Sequence, residues 1–303
     1  MERMKFYGHG KLMLTGEYLV LFGASAIALP TKLGQEFEYT PKANGILSWN
    51  GTTVKGKWIN AKFNPADLSI IDDKSDATEK LHHLLLSVRK LNPNFLIEGG
   101  KVSSYLEFSP EWGLGSSASL IAFLSQLGNV DPYELLNIST DGSGYDIACS
   151  MSDSPIYYKI KSSGRPEYYP LVYRPAFKDN LYFVYSGKKQ TTHSEIKRFR
   201  KMWTVDYSLI QNITEISENI VHCNNQKHFN ELLTQHEDAI SNVLNLPSIQ
   251  KAEFNDFHGT VKSLGAWGGD FLLFSSLMER KDTIAYLHNK GFNVIKPYDD
   301  IIL

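Results

Sequence analysis

The stretch Ser109 to Leu120, SPEWGLGSSASL, sets glycines and hydroxyls in an order that suits phosphate binding. A glycine turn that opens a helix leaves backbone N–H groups pointing outward, at the positive end of the helix dipole. Such a place binds anions, and phosphate is the usual one. The candidate ligands are the backbone of Gly113, Leu114, Gly115 and Ala118 and the hydroxyls of Ser116, Ser117 and Ser119. The same residues also suit a plain turn with a serine N-cap. No Gly-Lys-Ser/Thr ending follows, so this is not the P-loop of the common nucleotide triphosphatases. Nor does a GxGxxG follow the first strand, which weakens a dinucleotide reading.

Three further segments carry chemical residue types. Gly10 to Gly23, GKLMLTGEYLVLFG, holds Lys11, Glu17 and Tyr18. Gly142 to Ala148, GSGYDIA, places Asp146 behind a glycine turn that includes Gly144. Gly265 to Phe271, GAWGGDF, brings Gly265, Gly268, Gly269 and Asp270 into one glycine cluster. Glycine at such points lets backbone come close to a ligand. Each segment also has a plainer reading: Asp146 as a turn residue, Lys11 as a solvated strand-edge lysine, Tyr18 as core. His82, His83 and His193 have no second ligand at metal-site spacing. Tyr157, Tyr158, Tyr168 and Tyr169 suit strand packing.

The elements that must position these residues follow from periodicity. A strand is expected over Lys101 to Phe108 and a helix over Ser117 to Leu127, with Leu120, Ile121, Leu124 and Leu127 on one stripe. Ala77 to Leu91 reads as a helix that Asn92-Pro93-Asn94 stops, and Asp131-Pro132 starts another that runs to about Ile138. Residues 4–60 read as strands and turns, with Glu17 and Tyr18 in an apolar strand. The proline-rich run Gly164 to Pro175 reads as a linker or domain boundary. Beyond it, Leu181 to Tyr185 is a strand, and Ser194 to Asn224 and His228 to Leu244 are helical. Ile249 to Leu264 reads as one more helix, Phe271 to Ser275 as a strand, Asp282 to Lys290 as a helix and Asn293 to Ile295 as a final strand. Strands and helices mix without regular alternation, so the fold class is α+β.

The 303 residues suffice for one large or two ordinary domains. A net charge of -2 with no block of like charge gives no support to a nucleic-acid or membrane-surface partner. Leu12 to Pro30 is apolar, but Glu17 and two glycines interrupt it, so neither a signal peptide nor a membrane span is expected. Cys149 and Cys223 are too few for a disulfide framework and read as small buried residues. A soluble cytoplasmic protein acting on a small molecule, as monomer or homodimer, is the expectation.

Taken together, GKLMLTGEYLVLFG, GLGSSAS, GSGYDIA and GAWGGDF resemble, in order and spacing, the motifs of the GHMP kinase superfamily, over nearly the whole chain. Gly16-Glu17-Tyr18, Gly-Tyr-Asp at 144–146 and Asp270 after paired glycines are most similar to phosphomevalonate kinases. The resemblance implies two domains, 1–170 and 171–303. The first would be an ATP-binding mixed sheet with a left-handed βαβ unit, the second a ferredoxin-like α/β sandwich, and the active site would lie between them. It implies ATP and Mg2+ as cofactors, with γ-phosphoryl transfer to a mevalonate-pathway acceptor, mevalonate 5-phosphate first. Alternatives are a mevalonate kinase or other alcohol kinase, or a non-catalytic nucleotide- or metabolite-binding relative. A decarboxylase of the superfamily is a more distant option.

The resemblance also implies roles. Gly113 to Ser119, with Trp112 beside them, would meet the nucleotide, and Ser117 the magnesium ion. Asp146 would be the base, with Lys11 beside it and the γ-phosphate, keeping the carboxylate ionised. Glu17, Tyr18, Gly144, Lys189, Thr191, Thr192, Gly265, Gly268, Gly269 and Asp270 would face the substrate, and Lys188, Lys189 or Arg198 could supply cations for a phosphorylated acceptor. Two departures stand out. Trp112 and Trp267 bring bulk where the family carries small residues, and the second magnesium carboxylate has only Glu134 as a candidate.

Overall fold

In the computed structural model, residues 2–42, 45–188, 199–201, 203–265, 267 and 269–303 are described. The chain forms two compact units. One comprises Met1–Gly10, Leu33–Pro110 and Leu114–Met151; the other comprises Lys11–Lys32, Glu111–Gly113 and Ser152–Leu303. Two long strands, β1 (Met4–Thr15) and β2 (Ala26–Thr40), each contribute residues to both. The expected boundary at 170/171 falls inside the second unit.

In the first unit, β3 (Leu47–Thr53) and β4 (Gly56–Phe63) form a hairpin, and β5 (Gly100–Leu106) lies between β3 and β2. β3 and β5 run parallel, whereas β3–β4 and β2–β5 are antiparallel, so the sheet is mixed. β5 alternates buried and outward residues, and the buried parity of the sheet supplies Phe37, Tyr39, Trp49 and Val102 to the core. Four helices build the rest: α1 (Asp76–Leu91), α2 (Ser116–Gly128), α3 (Pro132–Ser139) and α4 (Tyr145–Ser150). Ser75 caps α1 by accepting the Thr78 N–H, and Asp131 caps α3 by accepting those of Tyr133 and Glu134. The apolar stripe of α2 meets the sheet through Phe123, whose ring stacks on Phe37 at 4.5 Å between centroids.

In the second unit, β6 (Ile156–Ile160) pairs with the first residues of β2 and with β7 (Pro166–Pro170). The expected linker at 164–175 is therefore partly strand. Cross-strand stacking of Tyr169 on Tyr157 (4.7 Å) and of Tyr168 on Tyr158 (6.3 Å) holds it there. Next come β8 (Leu181–Tyr185), α5 (Tyr207–His222), α6 (Gln226–Leu244), α7 (Ile249–Glu253), β9 (Gly259–Leu264), β10 (Phe271–Ser276), α8 (Arg280–Asn289), β11 (Ile295–Pro297) and α9 (Tyr298–Ile301). The sheet order is β11-β8-β10-β9 with every pair antiparallel. That is the ferredoxin-like order, the fourth strand beside the first and the third beside the second.

The helix expected over Ile249 to Leu264 is two elements. Phe254, Phe257, Val261 and Leu264 do recur at helical spacing, which is why the pattern reads as helix. Gly259 decides otherwise: its φ is +153°, and a β-carbon there would run into the Ser275 carbonyl of β10. From that point Thr260 to Leu264 pair with β10. The strand expected through Glu17 and Tyr18 is a turn instead. Gly16 (φ +93°), Tyr18 (φ +61°) and Gly23 (φ +94°) bend the chain around a single 3₁₀ turn over Leu19–Phe22. Among the described residues no helix is long and apolar enough to cross a membrane. Both cysteines are buried, as their type suggests.

Candidate functional site

The glycine–serine loop has the backbone its composition implies. Gly113 (φ +66°) and Gly115 (φ +96°) are left-handed, and Gly115 is the N-cap of α2. Leu114 between them is fully buried and anchors the loop, while Ser117 in the first turn is exposed. The Ala118 and Ser119 N–H groups both turn back to the Gly115 carbonyl, at 3.0 and 3.1 Å. The three hydroxyls divide. Ser119 is buried, and its Oγ donates toward Gln35 Oε1 (2.8 Å) and the Ser116 carbonyl (3.0 Å), so it ties the loop to β2 rather than facing a ligand. A β-carbon on Gly8 of β1 would come to 2.6 Å from Ser119 Cβ, so glycine there lets the start of α2 sit against the sheet.

Asp146 lies in the same unit, in the first turn of α4, which packs against α2. Gly144 (φ +80°) is its left-handed N-cap, and a β-carbon there would meet the Tyr133 ring at 2.8 Å. The half-buried Asp146 carboxylate accepts the Ile147 N–H through Oδ1 (3.1 Å). Glu134 is exposed in the first turn of α3. Among the described residues no cluster of three His, Cys, Asp or Glu could hold a metal. A magnesium ion carried on phosphates asks less, because it keeps several waters and takes one or two protein oxygens. The exposed Ser117 hydroxyl fits that donor set.

The first and fourth motifs meet in the second unit. Trp267 N–H donates to Tyr18 Oη (2.7 Å), and the Tyr18 ring stacks on Phe199 at 4.8 Å. Glu17 is 4 % exposed, so it does not face a substrate, contrary to expectation. Its Oε1 takes the Lys262 ammonium at 2.5 Å. Lys262, fully buried on β9, also faces Glu237 Oε1 at 3.7 Å and donates to the Ser263 carbonyl at 2.9 Å. His236 Nε2 accepts the Gly16 N–H at 3.0 Å and lies 3.2 Å from Glu17 Oε2.

Burial dominates the electrostatics of this cluster. It pushes Glu17 up against the opposing pull of Lys262, and it pushes Glu237 up to about 7. It also holds His236 well below the usual imidazole range, with Lys262 adding to the effect. His236 is thus neutral, which agrees with its taking the Gly16 N–H.

Asp270 and Gly113 lie close together in the second unit. The Asp270 carboxylate fills the space where a side chain on Gly113 would begin. Ser186 fastens the turn by donating its Oγ to the Gly269 carbonyl (2.8 Å) and its N–H to the Asp270 carbonyl (2.9 Å). Trp112 packs its indole near Tyr185 and Phe271, at 6.1 and 6.0 Å between ring centroids. Lys11 is half-buried on β1. Lys188 pairs with Glu253 at 2.9 Å on the surface. Lys189, Thr191, Thr192, Arg198 and Gly268 lie outside the described residues.

Lys262, His236 and Glu237 were not singled out by sequence reasoning. Lys262 stands in a run read as helix, and His236-Glu237 sits in a helix whose other polar residues, Asn230 apart, are exposed or half-buried. The only signal in the sequence was a lysine among Thr260, Val261, Ser263 and Leu264, which the structure buries.

The chain matches no protein-family profile and no curated protein. Solved structures do match. Methanococcus jannaschii mevalonate kinase is 17% identical with a TM-score of 0.68, over 97% of each chain. Streptococcus pneumoniae phosphomevalonate kinase in complex with phosphomevalonate and AMPPNP is 14% identical with a TM-score of 0.70, over 97% of this chain and 99% of that one. Lactococcus lactis galactokinase complexed with galactose is 12% identical with a TM-score of 0.67, over 97% and 92%. A mixed sheet with helices in one unit and an antiparallel ferredoxin-like sheet in the other, matched over nearly the full length of these structures, is the fold of the GHMP kinases.

Proposed function

We propose that this chain is an ATP-dependent small-molecule kinase that transfers the γ-phosphoryl group to a mevalonate-pathway acceptor, with mevalonate 5-phosphate as the first candidate. The observation that carries the reading is the left-handed Gly113 and Gly115 backbone opening α2, with Asp146 on the helix packed beside it. Phosphoryl transfer asks a protein mainly for positioning and for cancellation of charge. The N–H groups at the start of α2 would hold the nucleotide phosphates, and Lys11 would add a cation. Asp146 would accept the proton of the attacking acceptor oxygen. Ser117 would be an oxygen ligand of magnesium, which supplies further charge cancellation when bound. Gly16-Glu17-Tyr18, Gly269-Asp270 and the likeness to a phosphomevalonate kinase support the choice of acceptor.

The test is ADP release from ATP and magnesium with mevalonate, mevalonate 5-phosphate, galactose and homoserine offered separately. Turnover with mevalonate 5-phosphate above an Asp146→Asn control is expected. Turnover with another acceptor alone would reassign the substrate, and no turnover with any of them would sink the kinase reading.

A further inference from the structure

A cavity of about 450 Å³ lies within the second unit, lined by residues of α6, α7 and β9. That is the size of a small-molecule site and far more than one water fills. Gln250 holds its wall in place: Nε2 donates to the Gly259 carbonyl (3.0 Å), and Oε1 accepts the Val261 N–H (3.0 Å). Glu237 lines the cavity although it is only 3 % exposed. Its Oε1 faces Lys262 at 3.7 Å, and its Oε2 has no hydrogen-bond partner among the described residues. A buried acceptor left unmet is costly, so a ligand that brings a donor gains by meeting it.

The charges around Glu237 leave it without a close partner. Lys262 on β9 spends its ammonium on Glu17 at 2.5 Å. His236 beside it accepts the Gly16 N–H and stays neutral. Lys251 on α7 and Asp238 on α6 pair at 2.6 Å and cancel, and Glu253 on α7 pairs with Lys188 at 2.9 Å. The other titratable residues of α6, and all those of α5, which packs against it, are exposed. An ionised Glu237 is therefore the uncompensated charge of the set, and an anionic ligand would meet it as a like charge. Among the described residues no group of three His, Cys, Asp or Glu could hold a metal ion. An ammonium, with three donors and no acceptor, suits the lining better. Thr234 Oγ1 donates to the Asn230 carbonyl (2.9 Å) and keeps its lone pairs, whereas Ser248 Oγ accepts the Lys251 N–H (3.5 Å) and keeps its O–H.

We propose that this cavity binds a small organic ammonium compound, its nitrogen on Glu237 Oε2 and its body hydrogen-bonded to the hydroxyls of Thr234 and Ser248. It uses none of the residues assigned to phosphoryl transfer, so the two readings stand or fall separately. Burial keeps a proton on Glu237 up to about 7, and an ammonium takes only the ionised carboxylate. Below that pH, binding must expel the proton, so affinity rises with pH and levels off above about 7.

The experiment is calorimetric titration of the full chain with ethanolamine, putrescine, glycerol and potassium chloride at constant ionic strength. At least one amine is expected to bind at about pH 8 and about tenfold more weakly at about pH 6. At the lower pH, buffers of different ionisation heat should report release of about one proton per amine bound. Glu237→Gln should weaken the amine at least about tenfold at the higher pH and abolish the proton release. Thr234→Val keeps the shape and removes the hydroxyl; it should weaken the amine about threefold, and it carries the test if Glu237→Gln does not fold. Failure of both amines to bind overturns the proposal, as does binding that keeps its strength in Glu237→Gln or releases no proton at the lower pH. Potassium binding as tightly as the amines would mark a bare-cation site, and glycerol doing so would show that charge is not recognised; either overturns the organic ammonium.

Discussion

The Asp270 carboxylate occupies the space in which a side chain at Gly113 would begin, and Gly113 has a backbone conformation that L side chains rarely adopt. A glycine in the glycine–serine loop is thus required twice, by its own φ of +66° and by the carboxylate of Asp270, far along the chain. Gly113→Ala should cost about 1–3 kcal/mol and weaken ATP binding. The left-handed strain persists in Gly113→Ala/Asp270→Ala, but the clash does not, so the double variant should recover part of the loss. Thermal unfolding and AMPPNP titration of the three variants check this; a double variant no better than the single one would show that Asp270 is not the obstacle.

A second close approach lies at Gly8, where a β-carbon would sit 2.6 Å from Ser119 Cβ and 3.2 Å from its Cα. Gly8→Ala is expected to cost about 1–3 kcal/mol by overpacking. Ser119→Gly removes the atom in the way, so the pair should cost less than the sum of the singles. Urea unfolding of the cycle gives the coupling, and strict additivity would rule out this contact as the cause.

Asp146→Asn removes the proposed base while leaving the loop intact. The expected loss is about 10²–10⁴-fold in kcat, with AMPPNP affinity nearly unchanged. Stopped-time ADP assays and calorimetry measure the two quantities. A variant that keeps its kcat would take Asp146 out of the chemistry.

Burial of Glu237 predicts that stability depends on pH near neutrality. Its proton is held in the fold up to about 7, against 4.5 for the free group. A folded value above the unfolded one gives stability that is complete below about 4.5 and is lost as the pH rises through about 7. His236, held well below its ordinary 6.5, works in the opposite direction, costing stability as the pH falls below that value. The difference between Glu237→Gln and wild type isolates the glutamate. It should move in favour of the variant by about 2–4 kcal/mol between pH 5 and pH 8. Denaturant titrations at several pH values measure it, and a flat difference would place the buried proton elsewhere.

Much of this fold is written in local pattern. The stripe of Leu81, Leu85 and Val88 with the Ser75 cap makes α1, and the Asp131-Pro132 start makes α3, as periodicity and capping chemistry require. The glycines at 113, 115 and 144 also meant what their type suggested, because a left-handed cap is a local demand. Other elements were decided at a distance. Phe254 to Leu264 has helical spacing and is part strand, because β10 offers Gly259 to Leu264 a ladder and leaves Gly259 no room to continue a helix. Glu17 looked like a ligand for substrate, yet it lies inside, because Lys262, 245 positions away, meets it there.

By itself, then, the sequence determined the left-handed glycine loop that opens α2, the carboxylate behind the second glycine turn and the α+β class, since each depends on neighbours within one or two turns of chain. Tertiary structure alone decided which polar residues face outward and which are spent inside. The hydroxyl of Ser119 and the carboxylate of Glu17 are of the same types as working groups elsewhere in the chain. What removes them from solvent is a partner brought from afar, Gln35 for one and Lys262 for the other. Burying a polar group without such a partner is costly, so the fold that supplies the partner determines the residue's role.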